Sequence, residues 1–259
     1  MGGRGGASHA GSGSGGAAAG PHLMAAKAFL DNAYGKKHSE KIMEIIAKAP
    51  AGIKEMWEKF GGVFRAGHMD PHSTEAYYSP YEHKVYLGIE DVARGDDIHT
   101  PYNTIFHEYG HMTDYLIGTA LGGGGRGAYS EYYEGGLLGD TAKSELRSHL
   151  DRMKSMYPRA TSDKSAAVHL IDEINGKYSM RDRSDISDML EGAGIGVAYP
   201  LGSGHGSSYW GSRDNGVEIF AEMTAAEASA PGSLKAIKEY FPETYSVYRD
   251  MIDEWRKMK

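Results

Sequence analysis

The sequence predicts an α+β fold that is mostly helical and has a small mixed sheet beside one helix. Apolar residues recur at helical spacing along much of the chain, beginning with residues 22–60. Aromatic and β-branched residues then cluster in residues 76–89 around a turn at Pro80, which is typical of a hairpin or meander. An amphipathic segment without proline, residues 103–117, follows directly and predicts one continuous helix.

The first helices are predicted over residues 22–34 and around residues 42–46, and Pro50 ends the second one. A third apolar stripe continues to the glycine pair that follows Phe60. Its large side chains are expected to pack in the core. They are Ile53, Met56, Trp57 and Phe60.

Further helices are predicted over residues 141–156 and 166–174. A glycine run at residues 121–127 ends the sheet-adjacent helix, and a tyrosine-rich segment at residues 129–133 follows. Those tyrosines either form a mobile flap or pack in the core. The last apolar stripe is either a docking face or part of the core. It comprises Tyr245, Tyr248, Ile252 and Trp255.

The amino-acid composition excludes several classes of function. The chain of 259 residues has no cysteine, so a disulfide scaffold, a catalytic thiol and a Cys-based zinc site are excluded. A net charge of -7 argues against nucleic acid as a partner. No apolar run has the length of about 20 residues that crosses a bilayer, and no signal peptide is recognised, so we expect a soluble protein. Residues 1–20 predict a flexible Gly/Ala/Ser-rich tail, followed by one domain over residues 21–259.

The most informative segment is His107 to His111, which reads His-Glu-x-x-His on the predicted helix. Residues four apart lie on one helix face, so both imidazoles can bind one metal ion. In this pattern Glu108 lies beside the ion, where its carboxylate acts as a general base on water. The alternative is that the two histidines only occupy a polar helix face. The uninterrupted apolar flanks of the motif favour the metal site.

A catalytic zinc site usually has three protein ligands and one open position, so a third ligand is needed downstream. Residues 215–223 predict a helix with two carboxylates four residues apart. Glu218 is the expected ligand, and Glu222 then orients a ligand histidine through its outer nitrogen. The reversed assignment stays open, Asp114 competes for the supporting role, and glutamates that only face solvent are the alternative.

A glycine-rich segment, residues 202–211, contains His205 and Tyr209. Glycine lets a backbone approach a ligand closely. Either side chain can donate a hydrogen bond to the oxyanion that forms when water attacks a peptide carbonyl. Ordinary loop packing is the alternative for both.

From about residue 39 to the C-terminus, the order of these motifs resembles gluzincin-type zinc metallopeptidases. The chain is similar to the lethal-factor catalytic domain and, especially, to the peptidase-like domains of phage minor head (head morphogenesis) proteins. The markers are residues 78–87, 107–111, 184–188, 204–210, 218–222 and 240–242. The resemblance implies zinc, a zincin core, Glu218 as third ligand, Glu108 as base, and a position near the cleft for the His205 to Tyr209 loop.

The expected function is therefore that of a zinc-dependent endopeptidase with one Zn²⁺ per chain and a protein or peptide substrate. The resemblance adds phage head proteins as partners and the bacterial cytoplasm or the virion as location. A head domain normally precedes such a peptidase, and the short tail here favours a stand-alone or cleaved effector. The second hypothesis is a virion-associated structural protein with a zincin fold and a structural or vestigial metal. Glu108 argues against it, because a structural site has no use for a base beside the ion.

Overall fold

The computed structural model describes residues 21–121, 127–206, 209–210 and 215–258. Within these ranges the chain forms eleven α-helices, two β-strands and a 3-10 turn at Tyr133–Gly135. In chain order the elements are α1 Pro21–Lys48, α2 Ala51–Phe60, β1 Ala76–Ser79, β2 Lys84–Leu87, α3 Ile89–Arg94, α4 Asn103–Leu121, α5 Tyr129–Tyr132, α6 Leu137–Met156, α7 Asp163–Lys177, α8 Met180–Ala193, α9 Asn215–Ser229, α10 Pro231–Tyr240 and α11 Pro242–Lys257. The tail predicted over residues 1–20, most of the glycine run before Gly127, and residues 207, 208 and 211 of the glycine-rich loop lie outside the described ranges.

The first two predicted helices are the two arms of α1. The arms meet at a kink at Gly35, whose φ is 80° and whose ψ is 156°. Glycine adopts such a conformation without the steric penalty of a Cβ. Pro50 separates α1 from α2 as predicted. The apolar stripe of α2 is buried as predicted, with Ile53, Met56, Trp57 and Phe60 in the core.

The predicted hairpin forms, with β1 and β2 antiparallel and Tyr78 opposite Val85. Val85 also makes a parallel bridge to Ala66, supported by the Val85 amide donating to the Arg65 carbonyl at 3.0 Å. The sheet of the described residues is therefore small as predicted, but it consists of two antiparallel strands with one isolated parallel bridge beside them and is not a mixed sheet. β1 lies against α4, and no strand among the described residues pairs with its outer edge.

One hydrophobic cluster extends from α1 to α11 and fixes the buried side of α4. The Trp57 ring lies 5.7 Å from the Phe106 ring and 5.4 Å from the Tyr109 ring, measured between centroids. Such aromatic pairs add roughly 0.5–1.5 kcal/mol to the area they bury. The Tyr109 hydroxyl is paired with the Tyr34 hydroxyl at 2.8 Å, so the buried phenol keeps a hydrogen bond.

Helix α4 crosses α9 at Gly110. A Cβ at this position would lie 3.1 Å from Ala221 Cα and 3.3 Å from Thr224 Cβ. Those distances are shorter than the roughly 3.5–4.0 Å of ordinary carbon contacts. The absence of a side chain at Gly110 thus lets the two helix backbones approach, which brings the polar residues of α9 to the histidine face of α4.

The tyrosine-rich segment at residues 129–133 and the apolar stripe of α11 both pack in the core. Tyr129 and Tyr133 are only 4% and 8% exposed, so they do not form a flap on the surface. In α11, Tyr248 is fully buried and the Trp255 ring stacks on the Phe60 ring at 5.7 Å. The apolar stripe of α11 is therefore part of the core and not a docking face.

Four helices were not predicted: α3, α5, α8 and α10. Helix α8 shows why, because it buries polar side chains, which weakens the hydrophobic periodicity that identifies a helix. Those buried polar residues include Ser184, Asp185, Ser187 and Glu191. In the described part of the chain, no helix has both the length and the apolar character that crossing a membrane requires.

The ion pair of Glu173 gives the fold a predictable pH dependence. Its carboxylate accepts hydrogen bonds from Arg152 at 2.8 and 3.1 Å and from the Tyr240 hydroxyl at 2.9 Å, which joins α7 to α6 and α10. The Arg152 guanidinium, aided by Tyr240 and opposed by desolvation, lowers the pKa of Glu173 to about 2. Because the folded pKa lies below the unfolded one, the stabilisation is complete above about pH 4.5 and is lost as the pH falls towards 2.

We therefore expect the free energy of unfolding of the wild type to fall on acidification by roughly 1–2 kcal/mol more than that of Glu173→Gln, after allowance for solvent screening. Urea denaturation of both proteins at a series of pH values between about 5 and 2 measures the difference. Parallel stability curves for the two proteins would contradict it.

Candidate metal centre

Helix α4 places His107 and His111 side by side on its half-buried face. Their Nε2 atoms are 3.1 Å apart, and their side chains are 13% and 11% exposed. One helical turn separates the two residues, so a continuous helix imposes this proximity. Two imidazole nitrogens that converge in this way need either a shared proton or a cation between them.

Glu218 of α9 supplies the third group. Its Oε2 lies 3.6 Å from His107 Nε2, and its Oε1 lies 3.5 Å from His111 Nε2. The side chain is 2% exposed, and the buried Oε2 atom has no hydrogen-bond partner among the described residues. A buried carboxylate oxygen without a partner is costly, so the chemistry of this atom suits binding of a cation.

The three groups fit zinc. Zinc bonds of about 2.0–2.2 Å separate neighbouring ligand atoms of a tetrahedral site by roughly 3.3–3.5 Å. The two imidazole nitrogens are 3.1 Å apart, and the two oxygens of Glu218 lie 3.6 Å from His107 Nε2 (Oε2) and 3.5 Å from His111 Nε2 (Oε1), which are separations around that value. Two imidazole nitrogens and one carboxylate also match the donor types that zinc accepts. Among the described residues, two groups have ligand atoms within 4.8 Å of one another and could hold a metal ion: His107, His205 and Glu218, and His107, Glu108 and His111.

Charge in the site is balanced inside the cluster. Burial, together with the neighbouring His111, lowers the pKa of His107 to about 4, so His107 is neutral as a metal ligand must be. Burial also lowers the pKa of His111, but the Glu218 carboxylate outweighs it and raises that pKa above its usual range. Burial raises the pKa of Glu218, but the neighbouring His111 lowers it by more, so this pKa lies well below its usual range. Without a metal, a proton on His111 thus plays the role of the cation.

Glu108 is 6% exposed and follows the first ligand histidine in α4. Its carboxylate has an oxygen within 4.8 Å of nitrogen atoms of both His107 and His111. It also lines both cavities described below. This position beside the ligand atoms is the one that a general base requires.

The structure separates the two carboxylates that competed for the supporting role. Glu222 Oε1 lies 3.5 Å from His107 Nδ1, the outer nitrogen of that ligand. Asp114 instead accepts hydrogen bonds from the Ser130 amide at 2.9 Å and the Ser130 hydroxyl at 2.5 Å, where α5 begins. Burial raises the pKa of Asp114 to about 7, against those two bonds. Glu222 is therefore placed to orient a ligand, whereas Asp114 ties α4 to α5.

His205 and Tyr209 both face the Glu218 carboxylate. His205 Nε2 lies 3.6 Å from Glu218 Oε2, and the Tyr209 hydroxyl donates to Glu218 Oε1. The two rings stack with centroids 4.1 Å apart. Burial opposes a charge on His205, but Glu218 and Asp188 raise its pKa, which favours an imidazolium that can only donate.

Two cavities meet at the site, and Ala76, His107, Glu108 and His205 line both. The first, here called the acidic cavity, has a volume of about 510 Å³. The second, here called the aromatic cavity, has about 580 Å³. Carboxylates dominate the polar lining of the acidic cavity: Asp91, Asp96, Asp185, Asp188 and Glu222. Phenol rings line the aromatic cavity: Tyr77, Tyr78, Tyr115 and Tyr209.

Comparison of the chain with models of protein families, with curated proteins and with solved structures gives no match. The geometry of the site is therefore the basis for a functional proposal. The structure brings together seven of the eight residues that the sequence singled out for the site, and only Asp114 turns to another partner.

Sequence reasoning missed the polar face of α8 that borders the site. Asp188 and Asp185 line the acidic cavity, and Asp185 Oδ2 is buried without a hydrogen-bond partner among the described residues. Glu191 binds the loop that contains His205. Only the family resemblance marked residues 184–188, and no spacing in the sequence relates α8 to the motif helix.

The two glutamates of α9 give matched variants of the metal site. Glu218→Ala removes one of three ligands, so we expect zinc affinity to fall at least a hundredfold. Glu222→Gln leaves the three ligands in place and removes only the charge near His107 Nδ1, so the expected loss is roughly ten- to a hundredfold. Zinc affinity is measured by competition with a chelator of known affinity. Tight binding in Glu218→Ala, with the larger loss in Glu222→Gln, would reverse the assignment.

Proposed function

We propose that this protein is a zinc-dependent endopeptidase. One observation supports this more than any other: the ligand atoms of His107, His111 and Glu218 converge within 3.1–3.6 Å at the point where two cavities meet. A site at such a junction is open to substrate. A purely structural zinc site is closed by a fourth protein ligand, so the cavities favour catalysis.

The chemistry assigned to the chain is peptide hydrolysis by water. Zinc held by these residues would lower the pKa of water towards neutrality and polarise the scissile carbonyl. Glu108 takes the proton from the attacking water and passes it to the leaving amine, because its carboxylate borders both cavities. No residue forms a covalent bond with the substrate in this scheme.

His205 and Tyr209 are proposed to stabilise the oxyanion. Both line the aromatic cavity and both direct a donor towards Glu218, at the edge of the cleft. A donor aimed at developing negative charge in a partly desolvated site is worth about 10²–10³ in kcat. The imidazolium form of His205, favoured by Glu218 and Asp188, suits this role.

An extended chain is the substrate that the cleft fits best. The acidic and aromatic cavities lie on two sides of Glu108, so a substrate can continue past the reacting bond in both directions. The outer edge of β1, with which no strand of the described residues pairs, runs beside this cleft, and Ala76 lies in both cavity walls. Strand addition to such an edge is a common way to hold an extended peptide. These features support an endopeptidase over an enzyme restricted to chain ends, with a protein or peptide as substrate and, by the resemblance noted above, phage head proteins as one source of it.

Replacement of the base separates metal binding from catalysis. We expect Glu108→Gln to keep stoichiometric zinc and to lose activity by roughly a thousandfold or more, because proton transfer and the orientation of water are both lost. Zinc content and cleavage of an unstructured protein such as casein measure the two effects on the same sample.

Glu145→Gln is a matched control, since Glu145 is also a buried glutamate but lines neither cavity and lies outside the metal ligand set. Its cleavage rate should stay within a fewfold of the wild type. Full activity in Glu108→Gln would exclude the proposed base, and no cleavage by the zinc-loaded wild type would exclude the proposed function.

A further inference from the structure

A buried carboxylate on α8 holds the loop that contains His205 and Tyr209. Oε2 of Glu191 accepts hydrogen bonds from the backbone amides of His205 and Gly206, each at 3.1 Å. Glu191 is 7% exposed. Hydrogen bonds to a carboxylate are about twice as strong as neutral ones, so this contact is a firm anchor for the loop.

Glu191 also binds the two flanks of that segment. Its Oε2 accepts the indole N–H of Trp210 at 3.1 Å, and its Oε1 accepts the Tyr199 amide at 2.6 Å. One side chain therefore collects four N–H groups from both sides of His205. These bonds fix the loop at its start, at its centre and next to Tyr209.

Glycines allow the loop to lie on this carboxylate. Gly204 has a φ of +133°, and a Cβ there would lie 2.6 Å from Glu191 Oε2. Gly206 has a φ of +76°, and a Cβ there would lie 2.7 Å from the Tyr199 hydroxyl oxygen. Both positions combine positive φ with a close contact that only glycine avoids.

Two neighbours of Glu191 on the same face of α8 extend the contact. The Ser187 hydroxyl donates to the Ser203 carbonyl at 2.7 Å and accepts the Leu201 amide at 3.2 Å. Asp188 Oδ1 shares the His205 amide at 3.1 Å. Ser187 and Asp188 lie four and three positions before Glu191, and residues at these spacings are neighbours on a helix surface, so α8 presents a polar surface to the loop.

We propose that Glu191 is a positioning residue: through the loop amides it holds His205 and Tyr209 in place at the cleft side of the metal centre. The inference rests on the proposed peptidase function for its kinetic consequence, but not for its structural one. Glu191 is absent from the lining of both cavities, so it acts through the loop and not on the substrate.

The kinetic consequence follows from the glycine content of the loop. A segment with several glycines has much conformational freedom to lose, and two donors on such a segment would be poorly placed without an anchor. Donors stabilise a transition state only when they are held within about 0.5 Å of the productive position. A displacement of about 1 Å is enough to lower a rate a hundredfold.

The chain offers a matched control for a buried carboxylate that binds backbone amides. Glu145 of α6 accepts the amides of Glu243 and Thr244 at 2.8 and 2.9 Å and is 9% exposed. It caps the start of α11 and is absent from the lining of both cavities. Glu145→Gln therefore disturbs a similar contact at a distance from the cleft.

The test compares Glu191→Ala, the milder Glu191→Gln and Glu145→Gln, each with zinc bound. For Glu191→Ala we expect kcat to fall roughly a hundredfold while KM and zinc affinity change less than threefold. Glu191→Gln, which keeps one acceptor oxygen, should fall about tenfold. Hydrogen exchange of the amides in residues 199–206 should accelerate at least tenfold in Glu191→Ala and stay unchanged in Glu145→Gln.

A second arm distinguishes positioning from loss of stability. In the background His205→Ala with Tyr209→Phe, the donors are gone, so adding Glu191→Ala should cost less than about threefold in kcat. A full hundredfold loss in that background, or unchanged exchange of residues 199–206 in Glu191→Ala, would overturn the inference. If the zinc-loaded wild type cleaves no peptide, the proposed function fails, and the exchange measurement alone then decides whether Glu191 holds the loop.

Discussion

The close crossing of α4 and α9 is the constraint on which the rest of the site depends. At Gly110 a Cβ would lie 3.1 Å from Ala221 Cα, so the absence of a side chain there lets the two helices approach. That approach places Glu218 within 3.6 Å of both motif histidines. The helix spacing alone would give two ligands, and the helix crossing adds the third. On its other side α4 packs against Trp57, and these aromatic contacts hold the helix close to α9.

Burial makes this arrangement electrostatically demanding. A carboxylate at 2% exposure, with one oxygen lacking a hydrogen bond among the described residues, is stable only beside positive charge. His111 provides that charge as a proton in the metal-free site, which is why its pKa is raised despite burial. A divalent cation would take the place of this proton and satisfy all three groups together. The Glu218 carboxylate also attracts the donors of His205 and Tyr209. The loop and the proposed metal ligands are therefore organised around the same negative charge.

Local patterns in the sequence predicted the parts of the site that lie on one element. His107, Glu108 and His111 are fixed by helix periodicity, and Glu218 followed from the number of ligands that zinc needs. The sequence could not choose between Glu222 and Asp114, because the choice depends on α5 folding back so that Ser130 binds Asp114. Glu191 was missed for a related reason: three of its four partners are backbone amides 8 to 15 residues away, and backbone donors leave no trace in the amino-acid sequence. The same burial of polar side chains hid α8 itself from the hydrophobic pattern.

The central claim is that two imidazoles and one carboxylate hold a single zinc ion with an open position. X-ray absorption at the zinc edge of the wild-type chain, loaded with one equivalent of zinc, measures this ligand set directly. The account predicts nitrogen and oxygen neighbours at about 2.0–2.2 Å with outer-shell scattering from two imidazoles. Scattering from fewer than two imidazoles would place the ion elsewhere. Three or more imidazoles would put His205 on the metal and close the position that the proposed chemistry needs.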